Sequence, residues 1–197
     1  MEMEKASKLL KTVYQEHINR FGEPDSALRF GGKEPLSGEE HIPDFIDILV
    51  WEPDEDIDII TFATVGMSDK PMPGAAHRAE VHFAVRGNYS REEISKTAAF
   101  LANIAVYPFL QNTSLDWLQL LSDPGEIPSF TEAEFILLHP EFVEGGWATI
   151  EEPGEELVKI LNVVPITGQE RDIMKTNGFD ALCDFFEKQK IDLLTRR

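Results

Sequence analysis

Three aspartates at alternate positions, Asp54, Asp56 and Asp58, form the pattern in this chain that most resembles a metal-binding loop. A calcium loop with this spacing needs a glycine at its sixth position and a glutamate at its twelfth. Those two positions hold Ile59 and Val65, so the sequence does not predict a calcium site here.

The remaining reactive side chains do not form a recognisable catalytic set. The five histidines never occur at metal-ligand spacing, and the phosphate-binding, dinucleotide-binding, nucleophile-elbow and zinc-protease motifs are all absent. His82 lies on the polar face of a predicted strand, and Cys183 lies on a helix that buries its neighbours. We therefore predict no catalytic residue, cofactor or metal ligand. We also expect alanine at His82 or Cys183 to leave the function intact.

The charge of the chain is strongly acidic and unevenly distributed. There are 36 acids and 18 Lys and Arg residues, which gives a net charge of −18. The segments 34–69 and 97–158 each contain eleven acids and no Lys or Arg. Binding a phosphate backbone requires clustered basic residues, so this composition argues against a nucleic acid as the ligand.

The two densest acidic runs each adjoin a proline and lie between strand-like segments, which predicts two loop tips. Such loops either keep the protein soluble or form a docking surface for a basic partner. We expect the loops to emerge on one side of the sheet, with a tryptophan beside each as an apolar anchor or as a core residue. The candidate partner-binding residues are Trp51, Asp54, Glu55, Asp56, Asp58, Trp147, Glu151, Glu152, Glu155 and Glu156.

Length and composition favour one domain over residues 1–197, because 42% of the residues are hydrophobic and the chain is close to the common domain size. A single cysteine cannot form an internal disulfide, which favours a reducing compartment. The chain begins with acids where a signal peptide would be basic, and it has no apolar run of about 18 residues. We therefore predict a soluble, cytoplasmic protein that does not span a membrane.

Hydrophobic periodicity predicts helices and strands in an order that is typical of an α+β fold. Capping boxes at Ser90 and Thr167 mark two helix starts, Pro108 and Gly178 are expected to end those helices, and a further helix closes the chain. A first helix is predicted over 4–21, and strands over 28–30, 45–51, 57–65, 79–86, 132–138, 147–150 and 157–164. We expect one mixed, largely antiparallel sheet with helices packed on it.

Three segments resemble the Suppressor of fused (SUFU) family: TFATVGMSDKPM at 61–72, HRAEVHFAV at 77–85 and VKILNVVPITGQERDIMKTNG at 158–178. The resemblance extends over nearly the whole chain. It identifies Gly66, Met67, Ser68 and Pro165 as family-motif positions with a structural role. It also implies a protein that acts by binding other proteins and has no catalytic residue of its own.

The resemblance implies two kinds of partner. Small bacterial-type members resemble immunity proteins that bind and neutralise a toxin domain, and a basic, nuclease-like toxin suits a chain at −18. Animal members resemble cytoplasmic regulators that sequester a signalling or transcription factor. A third hypothesis, from another class, is a small enzyme that uses carboxylates and His82. It requires those groups to cluster in a concave site with raised carboxylate pKa values.

Overall fold

The computed structural model describes residues 6–32, 41–141 and 146–195. It contains four helices and eight strands, with a short 3-10 turn over Met67–Asp69, within those residues. The helices are α1 Lys8–Phe21, α2 Arg91–Leu110, α3 Gly168–Asn177 and α4 Phe179–Gln189. The strands are β1 Ser26–Gly31, β2 Phe45–Trp51, β3 Ile59–Val65, β4 Arg78–Arg86, β5 Leu120–Ser122, β6 Phe135–His139, β7 Thr149–Ile150 and β8 Val158–Ile166.

All eight strands belong to one sheet with the order β1-β2-β3-β4-β8-β6-β5, in which β7 also pairs with β8. Of the seven pairings in the described residues, β4–β8 is parallel and the other six are antiparallel. Because β4 and β8 run the same way, the chain between them must cross back, which the helix α2 and strands β5–β7 accomplish. The predicted α+β fold with a mixed, largely antiparallel sheet is confirmed.

Helices cover both faces of this sheet, so its central strands are buried on both sides. The side chains of Ile48, Phe62 and Phe83 point to one face and form the main core with α2. Leu49 and Ala63 point to the other face, where α1 covers them. The helices α3 and α4 pack on the far end of the sheet against the ends of β6 and β8.

The predicted helix starts at Ser90 and Thr167 are confirmed, while several predicted helix and strand boundaries differ from the observed ones. Ser90 and Thr167 each form the predicted capping box, and Gly178 terminates α3. Pro108 does not end α2, which continues to Leu110, because a proline removes a single backbone donor close to the end of the helix. The predicted irregular segment 109–131 contains β5. The predicted start of the first helix, at residue 4, lies outside the described residues.

The prediction that β4 has one core face and one polar face is wrong. Val81 and Phe83 face α2 as expected, but Glu80 and His82 on the opposite face are 0% and 4% exposed. The helix α1 packs over that face, and each polar side chain has hydrogen-bond partners there. Although β4 alternates apolar and polar residues, it is therefore a central strand that is covered on both faces.

Candidate functional site

Two adjoining cavities form a groove on the α1 face of the sheet, which we call the candidate groove. They share the lining residues Arg20, Phe21, Thr61 and Ala84. The smaller cavity, of about 170 Å³, is also lined by His82, Glu141, Trp147 and Asn162. The larger, of about 620 Å³, extends to the β2–β3 loop and is also lined by Trp51, Glu23, Asp25, Glu52, Asp54 and Ile57.

The groove exists because small residues lie in register where the covering helix ends. Thr61 on β3 pairs with Ala84 on β4, and Trp51 on β2 pairs with Thr61, so a large side chain is followed by two small ones across the sheet. The helix α1 ends at Phe21, where Gly22 has a φ of 81°. That left-handed conformation turns the chain away from the helix axis, and the small pair remains at the floor of the groove.

Aromatic rings form the walls between the two cavities. The ring of Phe21 lies 5.0 Å from Trp51 and 6.0 Å from Trp147, measured between centroids. The rings of His82 and Trp147 are 5.6 Å apart in an edge-on arrangement. Trp51 is mostly buried and its Nε1 donates to the carbonyl of Gly22 at 3.0 Å. Both predicted anchor tryptophans thus line the groove, and both also pack in the core between α1 and the sheet.

A buried pair of histidines lies beneath the smaller cavity. Nδ1 of His17 lies 2.7 Å from the carbonyl oxygen of Val13, which accepts only, so Nδ1 carries the proton. Nε2 of His17 is then an acceptor, and Nε2 of His82, at 2.8 Å, must donate to it. Burial lowers the pKa of His17 to about 4 and also lowers the pKa of His82, with repulsion from His17 as a second cause. Both rings are therefore neutral near pH 7.

The charge of the groove is acidic. Arg20 is the one basic residue that lines it within the described part of the chain, against five acids: Glu23, Asp25, Glu52, Asp54 and Glu141. The loop that carries part of this charge is held in place, because Oδ1 of Asp54 accepts from the backbone amides of Asp56 and Ile57, each at 2.8 Å. The loop tip also presents Ile57, which is 57% exposed.

The two acidic loops do not emerge on one side of the sheet, contrary to the prediction. Asp58 lies at the end of β4, where its carbonyl accepts from Gly87, whereas Glu156 lies at the beginning of β4, where it pairs with Arg78. The nine residues of β4 separate the two loops by about 26 Å. The parallel pairing of β4 with β8 places them apart, since it brings the start of β8 to the start of β4.

The second acidic loop is also partly committed to internal contacts. Glu152 bonds both Lys8 and Thr12 of α1, and its side chain is 9% exposed. Glu156 accepts from Arg78 Nε at 3.1 Å. Glu151 and Glu155 are exposed. Half of this predicted docking set therefore ties the loop to α1 and β4. By contrast, Asp54, Glu55, Asp56 and Asp58 are all exposed, and Asp54 lines the groove.

Two family-motif residues, Gly66 and Ser68, bind a carboxylate that sequence reasoning missed. Glu80 is fully buried, and its two oxygens accept from the hydroxyls of Thr64 and Ser68 and from the amides of Gly66 and Ser68, at 2.5 to 3.1 Å. Burial raises the pKa of Glu80 to about 7, and the hydrogen bonds from Ser68 and Thr64 oppose that rise. The sequence gives no local signal for this site, because only the packing of α1 over β4 makes an acid on this face require buried donors.

The four motif positions lie at the turn after β3 and near the end of β8. Gly66 has a φ of 130°, and a Cβ there would lie 2.6 Å from the carbonyl oxygen of Phe45, so only glycine fits. Met67 and Ser68 are fully buried. Pro165 lies near the end of β8 and faces Ile136 in register.

Of the groups named for the enzyme hypothesis, His82 and one carboxylate, that of Glu141, line the smaller cavity together. Glu80 has the raised carboxylate pKa that this hypothesis asks for and lies on the same face as His82, but four donors occupy it and it does not line the groove. His82 is held by His17. Cys183 is half-buried rather than in the core, and burial together with nearby acids raises its thiol pKa, which disfavours the reactive thiolate.

Among residues 6–32, 41–141 and 146–195, no three His, Cys, Asp or Glu side chains are arranged to hold a metal ion. None of the helices in the same ranges has the length and apolar character needed to cross a membrane.

Solved structures share this fold across nearly the whole chain. A crystal structure described as a SUFU homolog from Neisseria gonorrhoeae FA 1090 has a TM-score of 0.63 at 17% identity, covering 95% of this chain and 93% of that one. The Sufu-Fu complex has a TM-score of 0.60 at 15% identity, covering 94% and 83%. Drosophila Suppressor of Fused has a TM-score of 0.61 at 16% identity. That match covers 96% of this chain and 49% of the Drosophila one.

A comparison of the sequence with curated proteins finds no match. Residues 43–197, by contrast, match the family model described as Suppressor of fused protein (SUFU). The matched segment includes the turn after β3, the buried Glu80 and the β8–α3 segment. The chain therefore belongs to the Suppressor of fused family.

Proposed function

We propose that this protein is a non-enzymatic, cytoplasmic binding module that holds and neutralises a basic toxin domain. The observation that carries the proposal is the composition of the candidate groove: in the described residues five acids and one base line it, around the rings of Phe21, Trp51 and Trp147. Aromatic anchors surrounded by charge are typical of protein-binding surfaces.

A nuclease-like toxin is the partner class that fits the charge best. A domain that holds a phosphate backbone must present clustered Lys and Arg residues. A chain with a net charge of −18 attracts such a surface over long range. The acidic field speeds the encounter, and the groove supplies apolar contact once the two surfaces meet. Blocking the basic surface of the toxin would be sufficient to stop it from engaging nucleic acid.

The second candidate is a regulator that sequesters a signalling or transcription factor. One structure with this fold is the Sufu-Fu complex, which favours protein binding as the mode of action. That candidate predicts a partner with no toxicity of its own. Growth of cells that express the partner alone therefore separates the two candidates.

The experiment is a rescue of growth. A toxin domain encoded beside the gene for this chain, or else a protein retained by the tagged chain from its source cells, is expressed in bacteria with and without the chain. We expect the partner to be basic, to stop growth alone and to be tolerated with the chain. A retained partner that is acidic or harmless, or a toxin that still kills, contradicts the proposal.

A matched pair of variants links the rescue to the groove. Glu52→Gln, Asp54→Asn and Glu141→Gln together remove three groove charges, while Glu151→Gln and Glu155→Gln remove exposed charges at the opposite end of β4. We expect the first set to weaken the rescue and the second to leave it unchanged. Circular dichroism confirms that both sets fold.

A further inference from the structure

We infer that the smaller cavity of the candidate groove is a binding site for an arginine side chain presented by the basic partner. The inference rests on the proposed function, which supplies a basic protein, and adds the chemical group recognised and the residues that recognise it. It stands on three observations: the hydrogen-bonding character of the lining, the aromatic rings and the surrounding charge.

Apart from Arg20 and the hydroxyl of Thr61, the polar side chains that line the smaller cavity offer hydrogen-bond acceptors. Both amide hydrogens of Asn162 are engaged, because Nδ2 donates to the carbonyls of His139 at 3.2 Å and Pro140 at 2.9 Å, so Oδ1 is the atom that remains to accept. The tautomer of His82 that donates through Nε2 leaves its Nδ1 unprotonated. Glu141 adds a carboxylate.

A lining of acceptors selects a ligand that only donates. Guanidinium carries five N–H donors and no acceptor, and it remains charged at any physiological pH. Ammonium also lacks an acceptor, but it is compact and strongly hydrated, and it does not stack on ring faces as a planar guanidinium does. The chemistry of the lining therefore favours arginine over lysine.

The aromatic rings provide the second part of the match. Phe21 is 38% exposed at the cavity, and the rings of Trp147 and His82 line the same space. A guanidinium above the face of Trp or Phe gains a cation–π attraction that increases as water is excluded. A cavity of about 170 Å³ accommodates a side-chain head group rather than a folded segment.

The charge around the cavity identifies the occupant as basic. The larger cavity continues the groove past Glu23, Asp25, Glu52 and Asp54, so further basic residues of the partner would meet carboxylates on either side of the bound arginine. A second copy of this chain is disfavoured, because it would bring another net charge of −18 to an acidic surface. Arg20 is a like charge at the rim, so its removal should strengthen binding.

The test uses a synthetic probe and does not need the toxin. A short acetylated and amidated peptide of alternating Gly and Arg is titrated into the protein at low salt. The same peptide with citrulline, which is uncharged but has nearly the shape of arginine, is the matched probe, and a Gly-Lys peptide is the third. The readout is the indole N–H signals of the three tryptophans in a two-dimensional nitrogen–proton spectrum.

The three indoles give an internal control. Trp51 and Trp147 line the groove, whereas Trp117 packs against the main core and its Nε1 donates to the carbonyl of Ile160. We expect the arginine peptide to shift the first two signals and not the third, the lysine peptide to bind more weakly and the citrulline peptide to have no effect. Equal effects of the arginine and citrulline peptides, or an equal shift of Trp117, would overturn the inference.

Three variants locate the site. Glu141→Gln should weaken binding of the arginine peptide about tenfold, since it removes one charge-assisted hydrogen bond. Arg20→Gln should strengthen binding, and Glu151→Gln, at the other end of the sheet, should not change it. If Glu141→Gln and Glu151→Gln bind the arginine peptide with equal affinity, the proposed site is also overturned.

This assay and the rescue experiment fail separately. If the protein binds the arginine peptide at the groove but rescues no cell, the arginine site is supported and the toxin proposal is refuted. If the Glu141→Gln variant rescues cells as well as the unaltered chain does, the toxin proposal is supported and the arginine site is refuted.

Discussion

Nε2 of His17 on α1 lies 2.8 Å from Nε2 of His82 on β4, which joins the first helix to the centre of the sheet through one hydrogen bond between two neutral rings. The carbonyl of Val13 fixes the tautomer of the first ring and thereby that of the second. A proton added to either ring would place two donors, or a buried charge, in this space. The pair therefore adds to the contacts that hold α1 on the sheet while both rings are neutral.

The first prediction is that this pair makes the fold sensitive to acid. The folded-state pKa of each ring is lower than the ordinary value of 6.5, and that of His17 is about 4. As pH falls, the unfolded chain therefore takes up these protons before the folded protein does. The stabilisation is present above pH 6.5 and is lost as pH falls towards the folded-state pKa. For His17 alone, the loss between pH 7 and pH 5 is on the order of 2 kcal/mol.

The measurement is urea unfolding at pH 7 and pH 5 for the wild type and for the double variant His17→Phe, His82→Phe. Replacing both partners with rings of similar shape removes the titration without leaving one polar group orphaned. The wild type should lose stability relative to the double variant as pH falls. An equal pH dependence of the two proteins would contradict the prediction.

The ionisation of Glu80 should change the stability of the fold with pH in the opposite direction. Its pKa is raised to about 7 from 4.5, so the folded protein keeps this proton longer than the unfolded chain, and stability falls as pH rises from 4.5 through 7. We expect Glu80→Gln to reduce that loss by on the order of 2 kcal/mol between pH 5 and pH 7. Unfolding curves of the two proteins across this range are the measurement, and parallel curves would refute the assignment.

A separate prediction concerns the donors around Glu80. Glu80→Ala leaves the hydroxyls of Thr64 and Ser68 and two backbone amides without their acceptor, at about 1 to 3 kcal/mol for each donor that finds no water. We expect this variant to be less stable than Glu80→Gln at every pH. Similar unfolding midpoints for the two variants would show that the carboxylate cavity admits water.

The glycine of the turn after β3 gives the next prediction. Gly66→Ala combines a φ of 130° with a Cβ 2.6 Å from a carbonyl oxygen, so it should cost more than 2 kcal/mol and lower the thermal midpoint. Gly74→Ala is the matched control, because Gly74 also has a positive φ, of 75°, but has nothing within 4 Å of the added Cβ. Equal losses would mean that the backbone angle alone limits both positions.

The features that could be predicted from sequence are those whose cause is local. The helix starts at Ser90 and Thr167 follow from a capping residue and an acid three positions later, and both are observed. Ile48 and Val50 share the main-core face of β2 because a strand has a period of two.

The features that were missed depend on contacts between distant segments. The burial of Glu80 and His82 requires α1 to pack over β4, which no pattern within residues 78–86 indicates. The positions of the two acidic loops depend on strand order and on the parallel β4–β8 pair. The candidate groove arises from both effects, since it joins residues from α1, four sheet strands and the segment after β6.

The last prediction distinguishes a docking role for the β2–β3 loop from mere solvation. Neutralising Glu55, Asp56 and Asp58 to their amides, with Asp54→Asn to keep an oxygen acceptor for the loop amides, should slow association with the basic partner. It should also reduce the dependence of the association rate on salt, because steering acts over about 8 Å at physiological salt. Dissociation should change little.

Neutralising Glu151 and Glu155 is the control, because those exposed carboxylates lie at the opposite end of β4, about 26 Å from the β2–β3 loop. Glu152 and Glu156 are left unchanged, since they bond Lys8 and Arg78 and their loss would disturb the fold. Stopped-flow association across a salt series is the measurement. If the loop variant associates at the wild-type rate and with the wild-type salt slope, the acidity of this loop serves solvation and the partner binds elsewhere.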